Sequence, residues 1–453
     1  MGPSRSLLRA SMALVAAAIA AGAFADAAGA TYAGKNGRLA FGFAAGIATV
    51  NANGSSFRVI LRGQPAEAFP IWSPLGTRLL FTRLGGQTGL YSVRADGAGL
   101  RRLTTSASFS FEWAPDGQAV AFVDAGSAYV LDLRTGASTE IFHGASPAFA
   151  NAVTWAPDGG RLAVSVSDDS HPDGETIIGR LFVVGRDGTG LTEIVTRDTT
   201  FGFDDPRWSP NGADIAFIEP GSFGLSTLIV VKPDGTRLRT PGDCCPGDPH
   251  WAPRGNLLLF EYLIGIDAEN PDIYVVRPDG TGFRPLVRSR GYNSTPAWSP
   301  DGNRVAFASN RHGRHEVYVK KLQGGTVRVT RNRGFEDEPD WQARCSPKGT
   351  AAGNTLVGGI GPDFLCGLEG DDSLNGGRGG DRVLGGPGDD QLVGDRGVDV
   401  LVGGPGVDRL AGGANRDLLN ARDGFGGDTV VGDSGDLCLV DPGDIVTGCT
   451  PVT

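Results

Sequence analysis

Histidine, lysine and methionine are scarce in this chain, with five, five and two among 453 residues. The histidines are His143, His171, His250, His312 and His315, of which His312 and His315 fall in a loop between strands without metal-ligand spacing to other residues. Basic residues form no patch interleaved with aromatics, so a nucleic-acid partner is not expected. Beyond residue 30 no apolar run is long enough to cross a bilayer as a helix. No Gly-x-Ser-x-Gly elbow is present, and Gly432-Asp433-Ser434-Gly435 lies far along the chain from every histidine, so no nucleophilic serine is identified.

Glycine and, locally, acid are in excess. The 71 glycines are about twice the usual share of roughly 7% and gather beyond residue 350. Residues 346–449 hold 16 Asp, one Glu, six Arg and one Lys, which accounts for the whole net charge of −10. A neutral body with an acidic tail favours cations as ligands. At the N-terminus Arg5 and Arg9 precede the apolar stretch 12–24, and Ala23-Phe24-Ala25 or Ala28-Gly29-Ala30 offers a cleavage site, the pattern of an export signal. Residues 1–30 are assigned to that signal, 31–345 to a first domain and 346–453 to a second. The protein is therefore expected to be secreted or extracytoplasmic, in the periplasm or at the cell surface, where disulfides persist. Cys345 with Cys366 and Cys438 with Cys449 flank the two ends of the Gly/Asp-rich region and are expected to pair there. Cys244 and Cys245 are adjacent, and the sequence leaves open whether they pair or stay free.

The seven tryptophans, Trp72, Trp113, Trp155, Trp208, Trp251, Trp298 and Trp341, recur 41 to 53 residues apart, six of them in a W-x-P-x-G turn. A short apolar run follows each turn (RLLF at 78–81, AVAF at 119–122, RVAF at 304–307), then a second (LYSV at 90–93, VYVK at 317–320) ending in a glycine turn. Several strands per 40–50-residue unit indicate a β-propeller. A headless unit at 36–61 precedes Trp72, and Glu338-Pro339-Asp340-Trp341 can supply its missing strand. That arithmetic gives seven blades closed by one C-terminal and three N-terminal strands, with six or eight as alternatives. The tryptophans themselves read as wedges between blades. These units resemble the TolB-type propeller repeat over roughly residues 36–343. The resemblance implies a binding surface and identifies no partner.

From residue 358 the chain falls into Gly-rich nonapeptides. Asp363, Asp372, Asp381, Asp390, Asp399, Asp408 and Asp417 are nine residues apart, each followed two residues later by Leu or Val. This pattern resembles the RTX, or hemolysin-type, calcium-binding repeat, which implies a parallel β-roll. Two nonapeptides make one turn, so aspartates 18 apart should stack in two columns and take Ca²⁺ together with loop carbonyls. Leu368, Asp395 and Asn415 stand where the repeat has glycine. After Asp417 the period slips, so the last units are expected to cap the roll.

Three residues before each tryptophan stand Phe69, Ser110, Ala152, Asp205, Asp248, Thr295 and Glu338. In a propeller these converge on the central channel, and Asp205, Asp248 and Glu338 are candidates to bind a cation or a basic segment of a partner. The insertion at 167–180 is a candidate contact loop. The sequence thus predicts an all-β, exported, calcium-binding protein whose propeller is a non-catalytic scaffold for an unknown protein or glycan. The alternative is a propeller hydrolase or lyase with its site in the channel, for which His250 beside Asp248 is the best candidate. A pocket where histidine, arginine and acid converge would favour that alternative.

Overall fold

The computed structural model describes residues 34–43, 46–62, 67–173, 176–220, 226–239, 246–255, 257–263, 270–331 and 336–452. The proposed signal segment and the Cys244–Cys245 pair lie outside them. Every regular element is a β-strand, and seven sheets of four antiparallel strands form the propeller. Blade 1 has Lys35–Phe43, Gly46–Asn51 and Arg58–Arg62 as its three outer strands, and its inner strand is Glu336–Arg344 from the far end of the domain. Leu39 pairs with Trp341 and Ala40 with Asp340, so the ring is closed as the repeat count predicts.

Each tryptophan is a wedge. Trp72, Trp113, Trp155, Trp208, Trp251, Trp298 and Trp341 sit in seven separate apolar clusters, each joining two successive blades. Where the geometry is closest, the indole N–H reaches the backbone of the preceding blade. Trp251 Nε1 donates to the Arg207 carbonyl at 2.9 Å, and Trp298 Nε1 to that of His250 at 3.2 Å. The turn after six of the tryptophans needs its glycine because the backbone is left-handed there, with φ of +63° at Gly76 and +66° at Gly302.

The tail is a two-sided parallel roll. One six-stranded sheet contains Thr355–Val357, Ser373–Arg378, Gln391–Arg396 and Arg409–Ala414, and the other Phe364–Cys366, Arg382–Leu384, Val400–Val402 and Leu418–Asn420. Leu365, Leu374, Val383, Leu392, Leu401, Leu410 and Leu419 fill the interior. Disulfides Cys345–Cys366 and Cys438–Cys449 staple its two ends. Leu368, Asp395 and Asn415 adopt φ of 92°, 74° and 97°, so these non-glycine residues accept the same left-handed backbone as the glycines they replace.

The roll is docked on the turn end of the propeller. Phe364, Arg382, Val400 and Leu418, which open successive strands of one sheet, are buried, whereas Ser373, Gln391 and Arg409 at the same positions of the other sheet are exposed. Arg382 donates to the carbonyls of Pro74 and Pro115, in the turns of blades 2 and 3, at 2.9 and 2.8 Å. Arg416 Nε meets Asp158 Oδ2 at 3.2 Å and Asn420 Nδ2 meets Asp116 Oδ2 at 3.3 Å, both in turns that follow a tryptophan. Phe364 packs with Ala343 and Leu75.

Candidate functional site

The aspartates form two hydrogen-bonded ladders. In the first, the N–H groups of Asp363, Asp381, Asp399 and Asp417 donate to Oδ1 of Asp381, Asp399, Asp417 and Asp436 at 2.7 to 2.9 Å. In the second, Asn354, Asp372, Asp390 and Asp408 donate in the same way to Asp372, Asp390, Asp408 and Asp428 at 2.7 to 2.9 Å. The stacking by eighteens is therefore as the spacing predicts. The ladders also run past the slip in period: Asp428 and Asp436 follow their predecessors by 20 and 19 residues and occupy the same rungs. Extra loop residues thus leave the rung register unchanged at both, although Asp436 Oδ2 accepts the Asp433 N–H at 2.8 Å.

The second carboxylate oxygen shows what the ladder can hold. Oδ2 of Asp372, Asp381, Asp390, Asp399, Asp408, Asp417 and Asp428 is buried and accepts no hydrogen bond. It faces glycine backbone so closely that a Cβ at Gly385 would lie 2.2 Å from Asp390 Oδ2, and one at Gly403 2.2 Å from Asp408 Oδ2. Asp363 differs, since its Oδ2 accepts the Gly359 N–H at 2.6 Å. Burial pushes Asp399 up to about 8, with the charges of Asp417, Asp381 and Asp395 adding to it. Burial likewise takes Asp381, Asp408 and Asp417 to about 7. Rows of buried, unpaired, like-charged oxygens cost free energy unless a proton or a cation meets them. No three His, Cys, Asp or Glu side chains converge as a metal site among the described residues. An ion here would take one carboxylate per turn and complete its roughly six to eight oxygens from loop carbonyls, which suits Ca²⁺ rather than a transition metal.

The channel carries the second group of candidates. Phe69, Asp205, Asp248, Thr295 and Glu338 have φ between 47° and 58°, each at a register shift in the inner strand of its blade. Asp205 and Asp248 are buried, and Arg207 Nη2 stands 3.9 Å from Oδ1 of each. His250 Nε2 lies 2.8 Å from Asp248 Oδ1. Glu338 does not join that group: its Oε2 accepts the Phe69 N–H of the next blade at 2.6 Å. Sequence reading missed Glu261, whose Oε1 accepts the Thr295 N–H at 2.6 Å. It also missed Glu112 and Asp340, which accept the N–H of Trp155 and Trp72 in the following blade at 3.0 and 2.6 Å. An acid directly before a tryptophan was the available signal for these two interblade clips. Below them, between the turn end and the roll, lies a chamber of about 100 Å³ onto which Glu112, Arg207 and His250 open.

Comparison with known proteins agrees with this architecture. The TolB β-propeller domain model matches residues 179–353, and the RTX calcium-binding nonapeptide repeat model matches 348–383 and 384–419. A TolB homolog of Chlorobium luteolum is 33% identical over 144 residues, 31% of each chain. The Tol-Pal system protein TolB of Bordetella pertussis is 32% identical over 122 residues, 26% of this chain and 27% of that one. The matched region thus spans about a third of these relatives' length. An oligogalacturonate lyase in complex with manganese superposes with a TM-score of 0.50 at 17% identity, over 67% of this chain and 87% of that one. The propeller domain of the trilobed protease of Pyrococcus furiosus gives 0.51 at 13% identity, over 66% and 96%. At such identities these two structures show the fold alone. The chain joins a TolB-type β-propeller domain to RTX calcium-binding nonapeptide repeats.

Proposed function

We propose that the protein is an exported, calcium-binding scaffold whose propeller holds a protein or glycan partner without transforming it. The observation that carries this reading is the double ladder of buried Asp Oδ2 atoms without hydrogen-bond donors. Calcium supplies the missing positive charge, and the roll's own residues place one carboxylate per turn against a glycine loop. Export is supported by the N-terminal pattern and by two disulfides, Cys345–Cys366 and Cys438–Cys449. Asp205 and Asp248 are the proposed contact for a basic group of the partner. Far-ultraviolet circular dichroism of the full chain should gain β signal when calcium replaces a chelator, with ion uptake measured by dialysis. An unchanged spectrum together with no bound calcium would overturn the proposal.

The enzyme reading has one observation in its favour, because Glu112, Arg207 and His250 all open onto one chamber. A hydrolytic or eliminating activity that disappears in His250→Gln and persists in Glu338→Gln would establish it in place of the scaffold.

A further inference from the structure

The sheet that carries the docking residues is the sheet that follows the first aspartate ladder. Phe364, Arg382, Val400 and Leu418 stand directly after Asp363, Asp381, Asp399 and Asp417. Whatever orders that ladder therefore orders the docking face, one residue away along the same strands. The opposite sheet, which follows the second ladder, faces solvent with Ser373, Gln391 and Arg409. An isolated roll would have no reason to make one of its two faces apolar. The asymmetry is specific to a roll that closes onto something.

What it closes is the chamber. The propeller provides the walls, with Trp155, Trp208 and Trp251 around Glu112, Arg207 and His250. The roll provides the roof with Arg382, Val398 and Val400. The roof is fastened by Arg382 to the turns of blades 2 and 3 and by Arg416 and Asn420 to those of blades 4 and 3. At its first rung the roll is tied covalently to the end of the closing strand through Cys345–Cys366.

We propose that the roll is a calcium-dependent lid: with calcium it folds and covers the chamber at the turn end of the propeller, and without calcium it uncovers the chamber to solutes. This rests on the calcium-binding reading given above. It adds that calcium controls access to a site in the other domain.

All seven tryptophans belong to the propeller, so their emission reports the lid while circular dichroism reports the roll. In the full chain, moving from calcium to chelator should red-shift the emission and increase quenching by acrylamide, as Trp155, Trp208 and Trp251 gain access. The double variant Val400→Gln with Leu418→Gln copies the solvent-facing sheet, where Gln391 stands. It should keep the calcium-induced dichroism and show chelator-like quenching even in calcium. Arg382→Ala, a milder change, should shift quenching in the same direction. Quenching that stays constant while dichroism shows the roll folding and unfolding would overturn the lid and leave calcium binding intact. A roll whose dichroism ignores calcium would remove both.

Discussion

Asp399→Asn should have opposite effects with and without calcium. Asp399 is central to the first ladder, fully buried, with Oδ1 accepting the Asp381 N–H at 2.7 Å and Oδ2 unpaired. Asparagine keeps the Oδ1 acceptor and replaces the ionisable oxygen by a neutral amide. Without calcium, this removes a carboxyl that burial and the neighbouring Asp417, Asp381 and Asp395 push up to about 8. At pH 7 such a group destabilises the folded roll, and relieving it contributes on the order of 2 kcal/mol. With calcium, the same change removes one charged ligand and should raise the calcium midpoint of folding about tenfold, equivalent to ~1.4 kcal/mol. Urea unfolding followed by dichroism, in chelator and in excess calcium, measures both signs. Unchanged stability in both conditions would mean that Asp399 serves only the backbone hydrogen bond, which asparagine keeps.

The properties that could be read from the chain were the periodic ones. A tryptophan every 41 to 53 residues sets the blades because each wedge needs the same large side chain at the same place. An aspartate every nine residues sets the rungs because the acceptor for a backbone N–H must recur with the turn. What escaped was contact between the two periodic parts. Neither Phe364 nor Leu418 breaks the nonapeptide pattern, and only comparison of alternate repeats shows that apolar residues favour one sheet. The rungs at Asp428 and Asp436 escaped as well, because the spacing slips there while the rung position does not. In the channel, the position three before each tryptophan was recognised. Its left-handed backbone at Asp205, Asp248 and Glu338 was not, since acidic residues do not advertise a positive φ as glycine does.

That channel makes the propeller's own stability depend on pH. Burial pushes Glu338 up to about 8, with the Asp337 charge adding to it. Burial likewise takes Glu261 to about 8, with Asp248 and Asp337 adding. Asp340 and Glu112 are raised to about 7, again by burial, although Arg207 opposes the shift at Glu112. In the unfolded chain all four titrate near the ordinary carboxylate range of about 4. The folded state therefore holds more protons between roughly pH 4 and pH 8, and stability falls as pH rises through that window. The turn aspartates Asp187, Asp234 and Asp279 do not offset this, because N–H donors from Thr189, Thr236 and Thr281 hold them below the usual range. Above about pH 5 they are ionised in both states. Measured in saturating calcium, the melting temperature should be highest near pH 5 and lower by about 5 °C or more at pH 8. Glu338→Gln retains the acceptor for the Phe69 N–H and has no proton to lose, so it should flatten that slope. A melting temperature that rises from pH 5 to pH 8 would show these carboxyls to be ionised in the fold, each met by a positive charge.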